Sequence, residues 1–258
     1  MVYSHVAPPL CYSQIVHKLL LLVSISLLAM SSMAHAETPG WRRAKNVADD
    51  IIYSNLNSTL YCGCVYTSDN DRDGSGRVDH KRCGYKVPES HAKRAHRVEW
   101  EHIVPASLMP ARGFDCWVLG NRRECERKDP KAQAMLFDLH NLAPAIGQVN
   151  ALRSNDRYTE IPGEPSNFGS CQIQDERGEF EPPDCLKGDL ARVWLYMSLR
   201  HGVVITSDER DRFERWSAND PVSPWESKRE KRIFNYTFVR NPFVHGVTPN
   251  SSGACSWE

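Results

Sequence analysis

A carboxylate stands directly before a histidine in the segment 99–106 (EWEHIVPA), at Glu101 and His102. A neutral imidazole can take a proton from water near physiological pH, and a carboxylate can hold a divalent cation. Hydrolysis of a phosphodiester bond needs both, because the water must be activated and the charge on the phosphoryl oxygens must be neutralised. A surface glutamate beside a packed histidine would give the same pair, so the pair alone does not decide the chemistry.

The segment 97–105, which carries this pair, is predicted to be a short strand ending at Pro105. Neighbouring side chains of a flat strand point to opposite faces. Glu101 and His102 can therefore meet at one cation only if the chain bends there, or if they reach the cation and its water from different sides.

The segment 138–155 (DLHNLAPAIGQVNALRSN) offers further polar groups. The side-chain oxygen of Asn141 is a hard, neutral ligand that suits Mg²⁺, although an asparagine in this place can also cap a helix. His140 is expected to be a packed or hydrogen-bonded core histidine. Three more polar residues could line the same groove or form the polar face of a helix: Asn150, Arg153 and Asn155.

The elements that must position these groups form one predicted α+β domain without internal repeats. Apolar spacing and capping residues predict helices over 42–55, 129–137, 186–201, 208–216 and 225–233, and another that begins near Pro144 and runs to about residue 150. Residues 60–66 are rich in strand formers and are predicted to be a strand. The segment 156–184 is rich in Gly, Pro, Asn and Asp and is predicted to be a long surface loop held by Cys171 and Cys185.

Together these segments resemble the bacterial endonuclease I family, which comprises periplasmic or secreted non-specific nucleases with a ββα-metal (His-Me finger) core. The resemblance covers essentially the whole chain after residue 36, in the same order. It rests on EWEHIVPA at 99–106, GNRREC at 120–125 and the segment 138–155, with YCGC at 61–64, CGYK at 83–86 and NP at 241–242.

The resemblance implies a role for each matching position. His102 falls on the general base that takes a proton from the attacking water, and Glu101 and Asn141 fall on the ligands of a single Mg²⁺. Arg122 falls on the arginine of the family's G-G-R segment, which steadies the cleaved phosphate. That segment reads GNRR at 120–123 here, and Arg122 is chosen over Arg123 by its distance from Cys125. DNA and RNA cleaved to 5′-phosphate products, with weak sequence preference, are the expected outcome because all the chemistry acts on the backbone.

The N-terminal residues resemble a signal peptide. An apolar run at 19–30 follows Lys18 and leads to Ala34-His35-Ala36, a small-residue exit typical of cleavage. The run is short for a membrane span, although an uncleaved anchor is the alternative. Cleavage after Ala36 would leave 37–258 as the nuclease domain, expected to be a periplasmic or secreted monomer.

The cysteine count agrees with export. Eight cysteines follow the leader, and an even set in an exported chain indicates disulfides. Short loops would be closed by Cys116 with Cys125 and by Cys171 with Cys185, while three cysteines surround a predicted hairpin and the last could hold the C-terminus: Cys62, Cys64, Cys83 and Cys255. A zinc site is the alternative, but zinc motifs usually contain C-x2-C rather than the C-x-C found at 62–64.

Charge is permissive rather than diagnostic. After residue 36 the chain has 31 basic and 32 acidic residues, which argues against a generally basic nucleic-acid-binding surface. Residues 77–157, however, hold 15 Lys and Arg against 10 Asp and Glu. Phosphate binding needs a local positive surface rather than a basic whole, so a nucleic-acid partner remains open.

An acidic loop at 69–73 imitates the start of a calcium-binding loop. Its twelfth position is His80, where a bidentate glutamate should stand, so a hairpin turn is the better interpretation. This loop has no counterpart that we match in the family. Two other functions stay open: a zinc-dependent hydrolase with His102 and His140 as ligands, and a secreted disulfide-rich binding module without catalysis.

Overall fold

The computed structural model describes residues 40–69, 76–163, 168–176 and 178–257. The predicted leader, 1–36, and most of the acidic loop at 69–73 lie outside the described residues. Within them, no helix is both long and apolar enough to cross a membrane. Helices and small sheets share one hydrophobic core, so the predicted α+β class is confirmed.

Two antiparallel strands and the helix that follows them carry the candidate site. Strand β3 (Val98–His102) pairs with β4 (Leu142–Ile146) in a register that sets Trp100 opposite Pro144 and His102 opposite Leu142. Helix α5 (Gly147–Arg153) begins at the residue after β4. In the part of the chain that the structure describes, no third strand pairs with the outer edge of β4, so a proline without an N–H is tolerated there. The carbonyl oxygen of Pro144 accepts a hydrogen bond from the backbone N–H of Leu60 at this edge, at 2.7 Å. The predicted helix beginning near Pro144 is therefore wrong over β4 and correct from Gly147.

The N-terminal helix lies against the strand that carries His102. Helix α1 (Trp41–Val47) continues into a π-helical turn (Ala48–Ile52), close to the predicted helix over 42–55. Strands β1 (Tyr66–Ser68) and β2 (Gly76–Val78) form an antiparallel pair. The strand predicted over 60–66 is wrong for most of its length, because the chain turns there and Gly63 adopts a positive φ of 60° that favours glycine.

Three short helices follow β3 along the chain, and the first two of them contribute Trp117 and Arg122 to the candidate site. They are α2 (Asp115–Val118), α3 (Arg122–Lys128) and α4 (Pro130–Leu136). Asp129 caps α4 by accepting hydrogen bonds from the backbone N–H groups of Lys131 and Ala132, at 2.8 and 2.9 Å. The predicted helix over 129–137 is confirmed.

The C-terminal half supplies much of the core. Helices α6 (Lys187–His201), α7 (Ser207–Asn219) and α8 (Pro224–Thr237) confirm the three predicted helices there. Thr206 and Glu209 form a reciprocal capping box at the start of α7. Arg229 of α8 donates hydrogen bonds to the carbonyl oxygens of Leu139, His140 and Leu142, which fixes the chain just before β4.

Segment 156–184 is not the predicted loop. It contains strands β5 (Arg157–Tyr158), β6 (Gln174–Glu176) and β7 (Glu179–Glu181), in the order β5-β7-β6. Phe180 and Tyr158 on these strands are fully buried. The segment therefore carries part of the core, which its Gly- and Pro-rich composition hid.

Four disulfides join all eight cysteines predicted to form them. The pairs are Cys62–Cys171, Cys64–Cys83, Cys116–Cys125 and Cys185–Cys255. The short loop from Cys116 to Cys125, the hairpin cysteines and the tie at Cys255 are confirmed. The predicted pair of Cys171 with Cys185 is wrong, since each of these residues links a distant part of the chain. No cysteine of this set is free to bind zinc.

Candidate active site

A cavity of about 440 Å³ opens beside the end of β3. Its walls come from α1, β3, the α2–α3 region and α5. Its lining combines aromatic, basic, acidic and amide side chains, including Trp41, Lys45, Glu99, His102, Trp117, Arg122, Asn150, Arg153 and Asn155. Four of the predicted site residues other than His102 are therefore at this cavity, whereas Glu101 and Asn141 do not line it.

His102 lines this cavity, and one of its ring nitrogens is anchored by the backbone. Its Nε2 lies 2.7 Å from the carbonyl oxygen of Leu136, so Nε2 carries the proton and donates it in this hydrogen bond. The remaining nitrogen, Nδ1, is then the basic one. Burial lowers the pKa of His102 to about 4, and the positive charges of Arg122 and Arg153 act in the same direction. The imidazole is consequently neutral at physiological pH and able to accept a proton.

Glu99 is held by two arginines and one amide. Its carboxylate accepts hydrogen bonds from the Nε atoms of Arg94 and Arg97, at 2.8 and 2.7 Å, and from Nδ2 of Asn150 at 2.8 Å. Burial raises the pKa of Glu99, but these hydrogen bonds outweigh that effect and hold the pKa below its usual value. Because Nδ2 of Asn150 faces Glu99, the amide oxygen of Asn150 is left for another partner.

Glu101 lies in a sealed cluster on the other side of the strand. Its Oε1 accepts hydrogen bonds from Tyr61 and Arg153, both at 2.8 Å, and Tyr158 approaches the Tyr61 hydroxyl at 2.5 Å. Burial raises the pKa of the Glu101 carboxyl, and the charge of Arg153 opposes that rise. The other carboxylate oxygen, Oε2, is buried and has no hydrogen-bond partner. A buried carboxylate oxygen without a donor is costly unless a further charge satisfies it.

Asn141 is engaged elsewhere. Its Oδ1 accepts a hydrogen bond from the backbone N–H of Val104 at 2.7 Å, and its Nδ2 donates to the carbonyl oxygen of Val104 at 3.0 Å. The residue is fully buried. Its amide therefore clamps the chain leaving β3 to the chain entering β4, away from the cavity lining, and the metal-ligand role of Asn141 stays a prediction.

Arg153 lines the cavity but is almost fully buried. Its guanidinium is 1% exposed and donates to Glu101 and to the carbonyl oxygens of His102 and Ile103, at 2.8, 2.8 and 2.6 Å. Its Nε is buried without a hydrogen-bond partner, and these contacts stabilise the site from within. Asn155 is exposed and accepts a hydrogen bond from Ser107, so it remains a candidate for contact with a substrate.

Arg122 enters the cavity from the first turn of α3. Asn121 caps this helix, accepting from the backbone N–H of Glu124, and the disulfide Cys116–Cys125 closes the loop that carries it. The Nε of Arg122 lies 2.8 Å from Glu126, and 42% of its side chain is exposed. The remaining guanidinium N–H groups can reach an anionic ligand in the cavity.

The sequence that forms this cavity matches a known protein family. The family model described as Endonuclease I matches residues 41–247, most of the chain and all of the cavity lining. The chain belongs to the endonuclease I family.

The chain is also similar in sequence to individual nucleases. An extracellular deoxyribonuclease of Aeromonas hydrophila is 37% identical over 227 residues, covering 86% of this chain and 96% of that protein. A periplasmic deoxyribonuclease of the same organism is 34% identical over 230 residues, covering 87% and 93%. An extracellular ribonuclease of Bacillus subtilis is 30% identical over 129 residues, covering 42% and 43%.

Whether a divalent cation fits this endonuclease I site depends on the oxygen atoms that are free to bind it. The orphaned Oε2 of Glu101 and the open amide oxygen of Asn150 are oxygen donors of the kind that Mg²⁺ prefers. His140, required by the zinc alternative, is buried, and its Nε2 is 3.2 Å from the carbonyl oxygen of Val239 instead of at the cavity. Across the ranges that the structure describes, no group of three or more His, Cys, Asp and Glu side chains could hold a metal ion.

Two residues of this endonuclease I site escaped the sequence analysis. Glu99 contributes the carboxylate that orients Asn150, and its signal was the i, i+2 spacing from Glu101, which places both on one face of a strand. Trp41 stacks on His102, with ring centroids 5.1 Å apart. No local pattern could have indicated this contact, because the two residues are distant in sequence.

Proposed function

We propose that this protein is a Mg²⁺-dependent endonuclease that hydrolyses the phosphodiester bonds of DNA, with His102 as the general base. The observation that carries the proposal is the hydrogen bond from Nε2 of His102 to Leu136, which leaves a neutral Nδ1 at the cavity. Nδ1 takes a proton from a water molecule, the water oxygen attacks phosphorus, and the bond from phosphorus to the 3′ oxygen breaks. The product then carries a 5′-phosphate.

The cation would be held by Glu101 through its unpartnered Oε2 and by the amide oxygen of Asn150, in place of Asn141. When bound, Mg²⁺ neutralises phosphoryl charge and stabilises the departing oxygen. Glu99 accepts a hydrogen bond from Asn150, and Arg153 donates one to Glu101. Glu99 and Arg153 therefore orient the two proposed ligands. We assign β3, β4 and α5 to the ββα-metal core on this basis.

Arg122 is proposed to bind the phosphate during cleavage, because it is the exposed guanidinium at the cavity. Asn155 is a candidate contact to the nucleic-acid backbone. Such contacts carry no base information, so sequence preference should be weak. RNA is a second candidate substrate, supported by the 30% identity to an extracellular ribonuclease of Bacillus subtilis over 129 residues.

We propose that the mature enzyme spans 37–258, is released by cleavage after Ala36, and acts as a monomer in the periplasm or outside the cell. Its four disulfides need an oxidising compartment. The relatives named extracellular and periplasmic deoxyribonucleases support the same location.

One digestion assay tests this function. Purified mature protein is incubated with plasmid DNA and with RNA, in Mg²⁺, in chelator, and in chelator followed by Mg²⁺ or Zn²⁺. We expect cleavage in Mg²⁺, loss with chelator and recovery with Mg²⁺. Intact DNA under all conditions would favour a binding module, and recovery with Zn²⁺ alone would favour a zinc hydrolase.

A further inference from the structure

Trp41, the first residue of α1, covers one face of the His102 imidazole. The two ring centroids are 5.1 Å apart and the ring planes differ by 12°. Trp41 also lies 6.2 Å from the ring of Phe137, which directly follows Leu136, the residue that accepts the hydrogen bond from His102. The imidazole is thus held at one edge by Leu136 and on one face by Trp41.

These two contacts restrain different motions. The hydrogen bond to Leu136 fixes which nitrogen carries the proton, but the ring torsion χ2 of a histidine has broad wells and is poorly fixed by one edge contact. An indole stacked at this distance restricts the plane of the imidazole ring. It also keeps water from that face of the ring.

We infer that Trp41 is a positioning residue for His102, whose indole fixes the imidazole plane so that Nδ1 faces the cavity. This inference rests on the proposed role of His102 as the general base. Helix α1 would then affect the reaction through the orientation of His102, although it supplies no reacting group.

The test measures kcat and KM for DNA cleavage in Mg²⁺ for the wild type, Trp41→Ala and Trp41→Phe. We expect Trp41→Ala to lower kcat by about ten-fold or more, part of what a general base contributes, with little change in KM. Trp41→Phe should restore most of kcat, since it restores a ring face. Trp117→Ala is the matched control, because Trp117 lines the same cavity; its loss should raise KM more than it lowers kcat.

Two outcomes would overturn the inference: an unchanged kcat in Trp41→Ala, or a raised KM alone, which would show that Trp41 contacts the bases of the substrate instead of positioning His102. If Trp41→Ala does not fold by circular dichroism, Trp41→Leu, which has no ring face, takes its place. A wild type that does not cleave DNA in Mg²⁺ would instead refute the proposed function.

Two histidines that do not line this cavity, His80 and His96, form a separate cluster. Nε2 of His80 lies 3.1 Å from Nδ1 of His96, and the ring centroids are 4.6 Å apart. Both backbones are fixed: Val78 donates to the carbonyl oxygen of His96 and Tyr85 to that of His80, each at 3.1 Å. The nearby disulfide Cys64–Cys83 fixes the turn further.

We propose independently that this pair binds one borderline divalent cation such as Zn²⁺ or Cu²⁺, for which imidazole is a preferred ligand. Two nitrogens bound to one tetrahedral zinc are about 3.3 Å apart, given zinc–nitrogen bonds of about 2.0–2.1 Å, so little rearrangement is needed. Water would complete the coordination. Such a cation would tie the turn after β2 to the chain entering β3.

Calorimetric titration with Zn²⁺ in excess Mg²⁺ tests this site, because Mg²⁺ occupies oxygen-ligand sites and competes poorly for imidazole. We expect His80→Gln or His96→Gln to weaken one Zn²⁺ site by at least about ten-fold, since even an outer-shell partner costs that much. His91→Gln, at an exposed histidine outside the pair, should leave it unchanged. Equal Zn²⁺ binding by the wild type and both pair variants would overturn the proposal.

Discussion

His102 and Glu101 are neighbours on β3 but have opposite surroundings. The His102 side opens to a cavity of about 440 Å³, where a neutral imidazole and the exposed Arg122 can meet a substrate. The Glu101 side is sealed by Tyr61, Arg153 and Tyr158 and excludes solvent. The two neighbours thus differ in exposure, and the proposed cation would join the buried Oε2 of Glu101 to Asn150, which lines the same cavity as His102.

The largest effect is expected on the open side. His102→Ala should lower kcat by roughly 10²–10⁴-fold, the usual contribution of a general base, while DNA binding persists. Cleavage rates and a binding assay in chelator measure the two separately. A well-folded variant that loses DNA binding would contradict the assignment of His102 as the base.

The sealed side should respond through stability. Arg153→Met leaves the buried charge of Glu101 unpaired and should lower the free energy of unfolding by roughly 3–5 kcal/mol, as expected for half of a buried ion pair. Denaturant unfolding measures this change. Arg157→Met is the control, because Arg157 pairs with Glu209 but is 37% exposed and should have a small effect. Equal losses in the two variants would show that the sealed cluster has no special role.

The two asparagines have different expected roles: Asn150 is a proposed metal ligand, and Asn141 holds the backbone of Val104. Asn150→Ala should raise the Mg²⁺ concentration needed for half-maximal activity by at least about ten-fold. Asn141→Ala should instead lower the free energy of unfolding by about 1–3 kcal/mol, since it leaves buried backbone groups of Val104 unpaired. Metal titration and thermal unfolding of both variants test this. The reverse pattern would restore Asn141 as the ligand.

The smallest effect on the Mg²⁺ requirement is expected at the edge of the sealed cluster. Tyr61→Phe removes the hydrogen bonds of the Tyr61 hydroxyl with Glu101 and Tyr158 and should lower the free energy of unfolding by about 1.5–3 kcal/mol, less than Arg153→Met. Its Mg²⁺ requirement should rise modestly, because Glu101 is less firmly oriented. An effect on Mg²⁺ as large as that of Asn150→Ala would mean that Tyr61 does more than orient the carboxylate.

Sequence reasoning recovered what local patterns encode. The helices that follow caps at Asp129 and Thr206 were predictable, because capping and apolar spacing are local. Disulfide connectivity was not, as the wrong pairing of Cys171 with Cys185 shows, since spacing cannot determine which distant cysteines meet. The local sequence predicts a helix start at Pro144, because nothing local shows that its strand lies at a sheet edge.

The site was predictable to a similar extent. His102 and Arg122 were found at the cavity, as expected from the motifs that contain them. The proposal of Asn150 rather than Asn141 as metal ligand depends on a tertiary contact, because the Asn141 amide is hydrogen-bonded to the backbone of Val104. Burial of Arg153 was likewise hidden, because an arginine after a polar helix face looks like a surface residue until its carboxylate partner is known.

The most direct test is a crystal structure with Mn²⁺ in place of Mg²⁺, using the anomalous signal to locate the ion. We expect a single anomalous peak beside His102, bonded to oxygens of Glu101 and Asn150 at about 2.0–2.2 Å. A peak bonded to Asn141, or one away from both Glu101 and His102, would contradict this expectation.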